Sequence, residues 1–322
     1  MDRFPKLISR GEQKMQVVSW FNNKGGVSKT TSAMFMGEAL ATAGFPTLMI
    51  DNDSQGTLSV DTYDIPKQSI GMAEILIAPE RIEEAIYETR VKDLYIIPTG
   101  VDYEKVTLDL DSRGLLRNKF WEILDLIREK YANTFDLCII DNPPRFQGLS
   151  VYSSEYAEKI VIPVQSEAAS FKAALRTYIE MKTSFPYWDK QEISLLVTRH
   201  NKTRNAANSF LDSFRRWVEY EKMSHENFNP GKKLRLKVLE AVILDSAEVE
   251  NIKMDKANLF LKKSKTELAK SYIAATEEIF PELKGLGERI QKLVEERKKE
   301  NFDKNLRPNA FSKKETTLSE QE

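Results

Sequence analysis

The sequence has 322 residues, of which 41% are hydrophobic and 30% are charged, and its formal net charge is −1. This balance suits one large or two small folded domains and excludes a chain that is disordered throughout. The near-neutral charge argues against a protein that coats nucleic acid with its whole surface, so any such contact must come from local patches. A single cysteine, Cys138, excludes a disulfide framework or an iron–sulfur ligand set within one chain.

The first elements can be predicted in chain order. Residues 1–14 are polar and mixed, and we expect a short N-terminal arm. The run 17–21 predicts a buried strand, because it is short, apolar and rich in β-branched or aromatic residues. A glycine-rich break follows, and a helix is expected from about Lys29. Gly44 stands where a glycine commonly ends a helix.

Six further apolar runs alternate with helical segments. They are residues 47–50, 94–97, 137–140, 160–164, 193–197 and 238–243. Continuous apolar runs are typical of strands covered on both faces. Their alternation with helices predicts right-handed crossovers between parallel strands. The fold class is therefore α/β, with a mostly parallel twisted sheet and helices on both faces.

The end of the chain has a different composition. It becomes charged from about Gly285, and beyond Asn301 it is polar without periodicity. We expect residues 15–284 to form the folded domain. Residues 285–322 are expected to form a charged helix followed by a disordered tail.

A glycine-rich segment joins the first predicted strand to the first helix. It reads Lys24-Gly25-Gly26-Val27-Ser28-Lys29-Thr30-Thr31. Successive backbone N–H groups and the positive end of the helix dipole favour phosphate at such a junction. Lys29 is placed to reach the β- and γ-phosphates, and the Thr30 hydroxyl is placed to bind Mg²⁺. The alternative is a glycine-rich turn with solvated lysines.

Acidic residues follow two later strands. Asp51 and Asp53 end the second predicted strand, and a spacing of two puts both carboxylates on one face of a strand. A simple Asp-Asn-Asp turn is the alternative. Asp141 ends another buried strand, where an acid can hold a water on Mg²⁺. Pro143 and Pro144 then stop that strand and stiffen the next segment.

Residues 21–31 resemble the deviant Walker A motif of ParA/MinD ATPases, Lys-Gly-Gly-x-x-Lys-Thr/Ser. The hallmark of that motif is a second lysine before the glycines, here Lys24. The resemblance covers about residues 15–284 and implies a single P-loop NTPase domain that binds ATP and Mg²⁺. It also implies that Lys24 crosses a dimer interface to the partner's nucleotide. Ser28 stands where the family usually has glycine, and a β-carbon there implies a strained or crowded loop.

The resemblance also implies roles for the other site residues. Asp53 matches the acid that positions the attacking water, Asp51 matches an acid close to the metal, and Asp141 is the Walker B acid. The implied catalytic residues are Lys24, Lys29 and Asp53. The implied metal site comprises Thr30, Asp51 and Asp141. The implied nucleotide contacts are Gly25, Gly26, Val27, Ser28, Lys29, Thr30, Thr31, Asp51, Asp141, Pro143, Thr198 and Arg199, the last two near the adenine. The family's usual Ile-Pro-Arg-Asn is replaced by residues 243–246.

In this family ATP makes a sandwich dimer and hydrolysis releases it, so the first functional hypothesis is partition. An ATP-bound homodimer would bind nonspecific DNA and be reset by a centromere-bound, ParB-like activator of a plasmid or chromosome. Candidate DNA contacts are Lys232, Lys233, Arg235 and Lys237, then Lys262, Lys263 and Lys265, then Arg215 and Arg216. Such patches would give salt-dependent, sequence-independent binding. The alternative is that each charge run is a solvated face.

Other functions remain open. Leu286, Ile290, Leu293 and Val294 form an apolar stripe that suits a MinD-like interfacial helix, although neighbouring glutamates favour docking on the protein's own core. A ParA-like positioner of protein cargo cannot be separated from partition. A metal-cluster carrier is disfavoured by the single cysteine, and a tyrosine-kinase relative by a tail without tyrosine. With no signal-peptide core and no membrane-length apolar run, we expect a cytoplasmic protein, nucleoid-associated when ATP-bound, without stable membrane insertion.

Overall fold

The computed structural model describes residues 15–185, 188–201, 205–231, 233–283 and 285–306, with side chains as far as residue 296. The predicted N-terminal arm, residues 1–14, lies outside these ranges. The same holds for residues 307–322 of the predicted tail and for Lys232 of the first basic patch.

Within the described chain, eight strands form one sheet. They are β1 Gln16–Trp20, β2 Thr47–Asp51, β3 Tyr87–Glu88, β4 Leu94–Ile97, β5 Leu137–Asp141, β6 Lys159–Gln165, β7 Glu192–Thr198 and β8 Leu236–Val238. Their order across the sheet is β3-β4-β2-β5-β1-β6-β7-β8. The short edge strand β3 is antiparallel to β4, and the other neighbours are parallel. The predicted mostly parallel sheet is confirmed.

The last predicted strand, residues 238–243, is wrong in its bounds, because β8 ends at Val238. Beyond that point the N–H groups of Glu240 and Ala241 donate to the Glu278 carboxylate, at 2.7 and 2.6 Å, instead of to β7. Those bonds satisfy the two N–H groups away from the sheet and interrupt the bonding to β7, which resumes where the N–H of Ile243 donates to the carbonyl of Val197 at 2.8 Å. The two-residue strand β3 was not predicted, since it is too short to show a periodic pattern.

Eleven α-helices lie in the described ranges. They are α1 Lys29–Thr42, α2 Met72–Ile77, α3 Tyr103–Ser112, α4 Leu116–Lys130, α5 Leu149–Tyr156, α6 Ala168–Ser184, α7 Asn205–Phe228, α8 Glu248–Met254, α9 Leu259–Lys263, α10 Glu267–Ile279 and α11 Leu286–Leu306. Helix α1 begins at the predicted Lys29, and Gly44 follows its end at a φ of 83°. A π-helical turn, Thr57–Thr62, follows β2.

Helices cover both faces of the sheet. Alternate residues of the central strands enter different core clusters: Val18 and Ile139 pack with α1, α9, α10 and α11, whereas Val17 and Ile140 pack with α2, α4 and α5. Helices α6 and α7 cover β6 and β7 in a third cluster. Because both faces are buried, the strands read as uninterrupted apolar runs.

Helix α11 packs on the rest of the domain. Leu286, Ile290 and Val294 are buried in the same cluster as α1, and the Arg289 guanidinium lies 4.0 Å from the centre of the Phe45 ring. The helix continues to Leu306, beyond the point where the sequence loses its periodicity. In the described part of the chain no helix is long and apolar enough to cross a bilayer.

Candidate nucleotide-binding site

The glycine-rich loop connects β1 to α1 at the carboxyl edge of the sheet. Gly26 and Ser28 both adopt left-handed backbone conformations, with φ angles of 74° and 64°. Glycine does so at little cost, whereas serine is strained there. A β-carbon added at Gly25 or Gly26 would meet no atom within 4 Å, so the loop borders open space that a ligand can enter.

Two neighbouring strands hold this loop in place through its carbonyl groups. The Gln165 amide at the end of β6 donates to the carbonyl of Gly26 at 2.7 Å. The Thr198 hydroxyl at the end of β7 donates to the carbonyl of Val27 at 3.1 Å. With its carbonyls bonded to the sheet, the loop is free to present N–H groups to an anion.

The acids lie on the other side of the loop, at the ends of β2 and β5. Strand register places Asp51 directly opposite Asp141, and both are fully buried. One Asp51 oxygen accepts hydrogen bonds from the backbone N–H and the hydroxyl of Ser59, each at 2.8 Å. Burial raises the pKa of Asp51 to about 6, although these hydrogen bonds oppose the rise. The sequence analysis missed Ser59, because it lies eight residues downstream in the π-helical turn without a pattern that points back to Asp51.

Asp141 lacks such partners. Neither of its carboxylate oxygens accepts a hydrogen bond from the residues that the structure describes. Burial raises the pKa of Asp141 to about 8, the charge of Asp51 raises it further, and the Thr30 hydroxyl and the Lys29 ammonium oppose the rise. An unsatisfied buried carboxyl group is costly, and a divalent cation or its water would satisfy it. Asp141 and Thr30 therefore fit a magnesium site.

The described residues do not complete that metal site alone. No group of three or more His, Cys, Asp or Glu side chains among them is arranged to hold a metal ion. Magnesium in nucleotide sites commonly keeps several waters and binds phosphate oxygens beside one or two carboxylates. The donor set around Asp141 is of this incomplete kind. Asp51 lies opposite Asp141, but its carboxylate already accepts two hydrogen bonds from Ser59.

Lys29 lies between the loop and the acids. Its ammonium group donates to the carbonyl of Lys24 at 3.2 Å, and its side chain is largely buried. Burial lowers the pKa of Lys29, while the charges of Asp141 and Asp53 oppose this effect. A cation in this position can neutralise a phosphate group beside the acids.

Asp53 lies just beyond the end of β2 and is half-buried. Its N–H donates to Asp51 at 3.1 Å, and its own carboxylate accepts from the N–H of Gln55 at 3.0 Å. The sequence analysis offered an acidic site or an Asp-Asn-Asp turn as alternatives for residues 51–53. The structure combines the turn with two acids beside the loop. Of the three acids, Asp53 is the one open enough to contact a water molecule.

A buried polar network fixes the ends of the three central strands. The Asn52 amide donates to the Asn142 side-chain carbonyl at 3.1 Å, and Asn142 donates to the Ser19 hydroxyl at 2.9 Å. The Ser153 hydroxyl of α5 also donates to Asn142, at 2.8 Å. Because Asn52 and Asn142 each follow one of the facing acids, this network sets the separation between Asp51 and Asp141.

The second lysine of the motif reaches helix α6. The Lys24 ammonium donates to the Ser170 hydroxyl at 2.9 Å and forms an ion pair with Glu167. The Lys24 side chain is 28% exposed, so it lies at the surface of the chain. Pro143, two residues after Asp141, is half-buried and accepts the N–H of Arg145 at 2.8 Å.

The side of the loop that faces β7 and α8 carries basic groups. Arg199 has a φ of 49°, and its guanidinium donates to Asp245 at 3.3 Å. Lys253 of α8 donates to the Thr31 hydroxyl at 2.7 Å. Sequence reasoning missed Lys253, because 222 residues separate it from Thr31 and no local pattern links the two.

Comparisons with known proteins identify the family of the chain. A family model described as an AAA domain matches residues 15–184, just over half of the chain. The chain is 32% identical over 155 residues to the chromosome-partitioning ATPase Soj of Treponema pallidum, which covers 45% of this chain and 55% of that relative. It is 30% identical over 154 residues to the chromosome partitioning protein ParA of Caulobacter vibrioides, which covers 48% and 57%. The chain thus spans about half the length of the curated relatives it matches.

The fold is also similar to a solved structure, the McdA–ATP complex of Cyanothece. The TM-score is 0.65, with 84% of this chain and 98% of that chain covered. At 19% identity this likeness shows the fold alone. The family match and the relatives carry the assignment. The chain belongs to the ParA/MinD family of P-loop ATPases.

Proposed function

We propose that the protein is a ParA-type ATPase that dimerises on ATP, binds DNA nonspecifically and drives plasmid or chromosome partition. Hydrolysis stimulated by a centromere-bound, ParB-like partner resets the cycle. The observation that carries the proposal is the juxtaposition at one loop of Lys24, Lys29 and the unsatisfied carboxylate of Asp141.

Phosphoryl transfer to water requires positioning and charge neutralisation more than covalent chemistry. Lys29 supplies a buried positive charge, and Asp53 supplies an accessible carboxylate to orient water. Asp141 and Thr30 hold Mg²⁺, with Asp51 beside them. The metal, when bound, neutralises charge on the phosphate oxygens. Hydrolysis is expected to be slow and Mg²⁺-dependent.

Lys24 makes ATP a dimerisation ligand in this proposal. In the free protomer its ammonium is engaged with Glu167 and Ser170 at the surface. Exposed ion pairs contribute only about 0–1 kcal/mol, so a γ-phosphate on a partner protomer competes well for the same ammonium. ADP lacks that phosphate and leaves the lysine on α6.

The basic patches differ in their suitability for DNA. Lys237 is half-buried and donates to the carbonyl of Glu278, which removes it from the surface. Lys233 precedes β8 and lies at the amino edge of the sheet, opposite the loop. Lys262 and Lys265 lie on or just after α9, and half of the Lys262 side chain is exposed. We therefore assign DNA contact to the α9 run.

Local ion pairs do not prevent this role. Lys262 pairs with Asp255 at 2.6 Å and Lys263 with Glu248 at 3.0 Å, both at the surface. Such pairs exchange readily for phosphate. Lys265 forms no salt bridge with any residue in the described ranges.

The membrane alternative has less support. The apolar stripe of α11 is packed against the domain core, and burial there leaves Leu286, Ile290 and Val294 unable to enter a lipid interface. A protein cargo remains the alternative to DNA. The two differ in what the ATP-bound dimer binds.

The test measures binding of a nonspecific DNA duplex by fluorescence anisotropy with ATP, ADP or no nucleotide, across a salt series. ATP-dependent binding that falls steeply with salt is expected. Replacing Lys262 and Lys265 together by Glu should abolish it, and Lys233→Glu serves as the matched control. If DNA binding is absent at low salt while ATP still dimerises the protein, the partition role is wrong, and a cargo or a membrane becomes the target.

A further inference from the structure

Lys253 is a cation whose position the catalytic arrangement does not explain. It lies in the last turn of α8, and its ammonium donates to the Thr31 hydroxyl in the first turn of α1 at 2.7 Å. The side chain is half-buried. Within the described chain no carboxylate lies within ion-pair distance of it, although α8 and its surroundings contain several acids.

The place that Lys253 occupies is electrostatically unfavourable for a cation in the free protein. The N-terminus of α1 carries the positive end of the helix dipole, equivalent to about half an elementary charge. Its first turn contains no acidic residue, and its N-cap Ser28 makes no side-chain hydrogen bond. Lys29 adds a second ammonium to the same turn. An anion that lies between these groups relieves the repulsion among them.

The positions of Thr30 and Thr31 on α1 indicate which phosphate of a nucleotide would lie next to Lys253. Thr30 faces Asp141, where the metal and the terminal phosphate belong. Thr31 is one residue further, about 100° around the helix, and faces α8. Lys253 therefore lies on the side of the loop away from the acids, where the chain of phosphates continues towards the nucleoside.

We propose that Lys253 is a further nucleotide-binding residue, whose ammonium group donates a hydrogen bond to the phosphate that ATP and ADP share next to the nucleoside. This inference rests on the proposed nucleotide site and names a cation that the P-loop motif does not contain. It assigns to the C-terminal segment, outside residues 15–184 of the family match, a direct part in nucleotide affinity.

The proposal makes a prediction that separates Lys253 from the two motif lysines. Lys253→Gln should weaken ATP and ADP by the same factor, about tenfold, because one charge-assisted hydrogen bond to a shared phosphate is lost. Lys253→Arg should restore most of the affinity. The dependence of ADP affinity on salt should become shallower in Lys253→Gln, since one cation no longer contributes.

A purely structural tether would behave differently. If Lys253 only docks α8 on α1, its replacement lowers the melting temperature of the free protein. If it is a phosphate ligand held in a repulsive position, Lys253→Gln leaves that temperature unchanged or raises it. The nucleotide-induced rise in melting temperature then shrinks.

The experiment is calorimetric titration of Mg-ADP and Mg-ATP into the full chain, with thermal melts without nucleotide. The variants are Lys253→Gln and Lys253→Arg, and Lys256→Gln is the control, since it removes a nearby exposed lysine that pairs with Asp64. Equal weakening of both nucleotides with an unchanged or higher melting temperature supports the proposal. Wild-type affinity in Lys253→Gln, weakening of ATP alone, or a lower melting temperature of the free variant overturns it. Failure of the wild type to bind either nucleotide overturns the proposed function itself, and this inference with it.

Discussion

The two sides of the phosphate-binding loop solve opposite electrostatic problems. On the side of β2 and β5, called here the acid side, two facing carboxyl groups are buried, and Asp141 has no hydrogen-bond partner in the described chain. On the side of β7 and α8, called the basic side, Lys253 contacts the first turn of α1 next to the loop. The acid side calls for a cation and the basic side for an anion. A magnesium–polyphosphate complex supplies both, in that order along its length.

The largest expected effect comes from removing the residue that serves both sides. Lys29→Ala should weaken ATP by roughly a hundredfold or more, because its charged contacts to the β- and γ-phosphates contribute about 3 kcal/mol together, and it should weaken ADP less, because ADP lacks the γ-phosphate. Calorimetric titration measures this directly. An affinity within threefold of wild type, the lower end of what one lost neutral hydrogen bond produces, would show that the phosphates lie elsewhere.

Lys24→Ala tests whether the acid side is completed by a second protomer. We expect nucleotide affinity close to wild type and loss of the ATP-bound dimer, because the lysine contacts only the partner's γ-phosphate. Sedimentation velocity with ATP and with ADP measures the change. Glu167→Gln is the matched control: it removes the ion pair that holds Lys24 in the free protomer and should strengthen dimerisation. A variant Lys24→Ala that still dimerises on ATP would contradict the proposed role.

Asp141→Asn tests the acid side in the absence of ligand. The pKa of Asp141 is raised from 3.8 to about 8, so the folded protein keeps a proton that the unfolded chain loses in this window. The wild type therefore loses stability as pH rises from about 4 to 8, and full stabilisation is present only below that range. The variant lacks this loss. Its melting temperature in EDTA should exceed that of wild type by an amount that grows towards pH 8, at roughly 2–4 °C per kcal/mol.

Thermal melts across pH provide the measurement for this variant. Parallel curves for wild type and Asp141→Asn would mean that the carboxyl group is ionised and satisfied in the free protein. The same variant should weaken binding of Mg-ATP, so its effects on stability and on ligand affinity should have opposite signs.

The smallest effect concerns the backbone between the two sides. Ser28→Gly should stabilise the protein by about 0.5–1 kcal/mol, because relief of left-handed strain, about 1–2 kcal/mol, is partly offset by the greater freedom of glycine in the unfolded chain. Gly44→Ala, at a φ of 83° with open space around it, should change stability in the opposite direction. Urea denaturation measures both. Destabilisation by Ser28→Gly would show that the loop is not strained.

The acid side was predictable from sequence, whereas Lys253 on the basic side was not. Lys24 to Thr31, Asp51 and Asp141 each lie at a strand end, where a local pattern of apolar run, break and polar residue identifies them. Parallel strands then bring such ends together. Lys253 contacts Thr31 only because the fold brings distant segments together. The bounds of β8 were wrong because the Glu278 carboxylate accepts hydrogen bonds from N–H groups that were expected to pair with β7.

The contacts of Lys24 with other residues of the same chain were also not predicted. Its partners Glu167 and Ser170 follow β6, and only the sheet order places that end beside β1. The motif therefore identified the lysine, while its surroundings depended on strand order.

The central claim is that a magnesium–adenine nucleotide complex lies across the loop, with its metal at Asp141 and its phosphates at Lys29. Isothermal titration calorimetry of ATP into the full chain, with Mg²⁺ and then with EDTA, tests it most directly. We predict saturable binding with one nucleotide per protomer that weakens markedly in EDTA. Absence of binding with Mg²⁺, or the same affinity in EDTA, would contradict it.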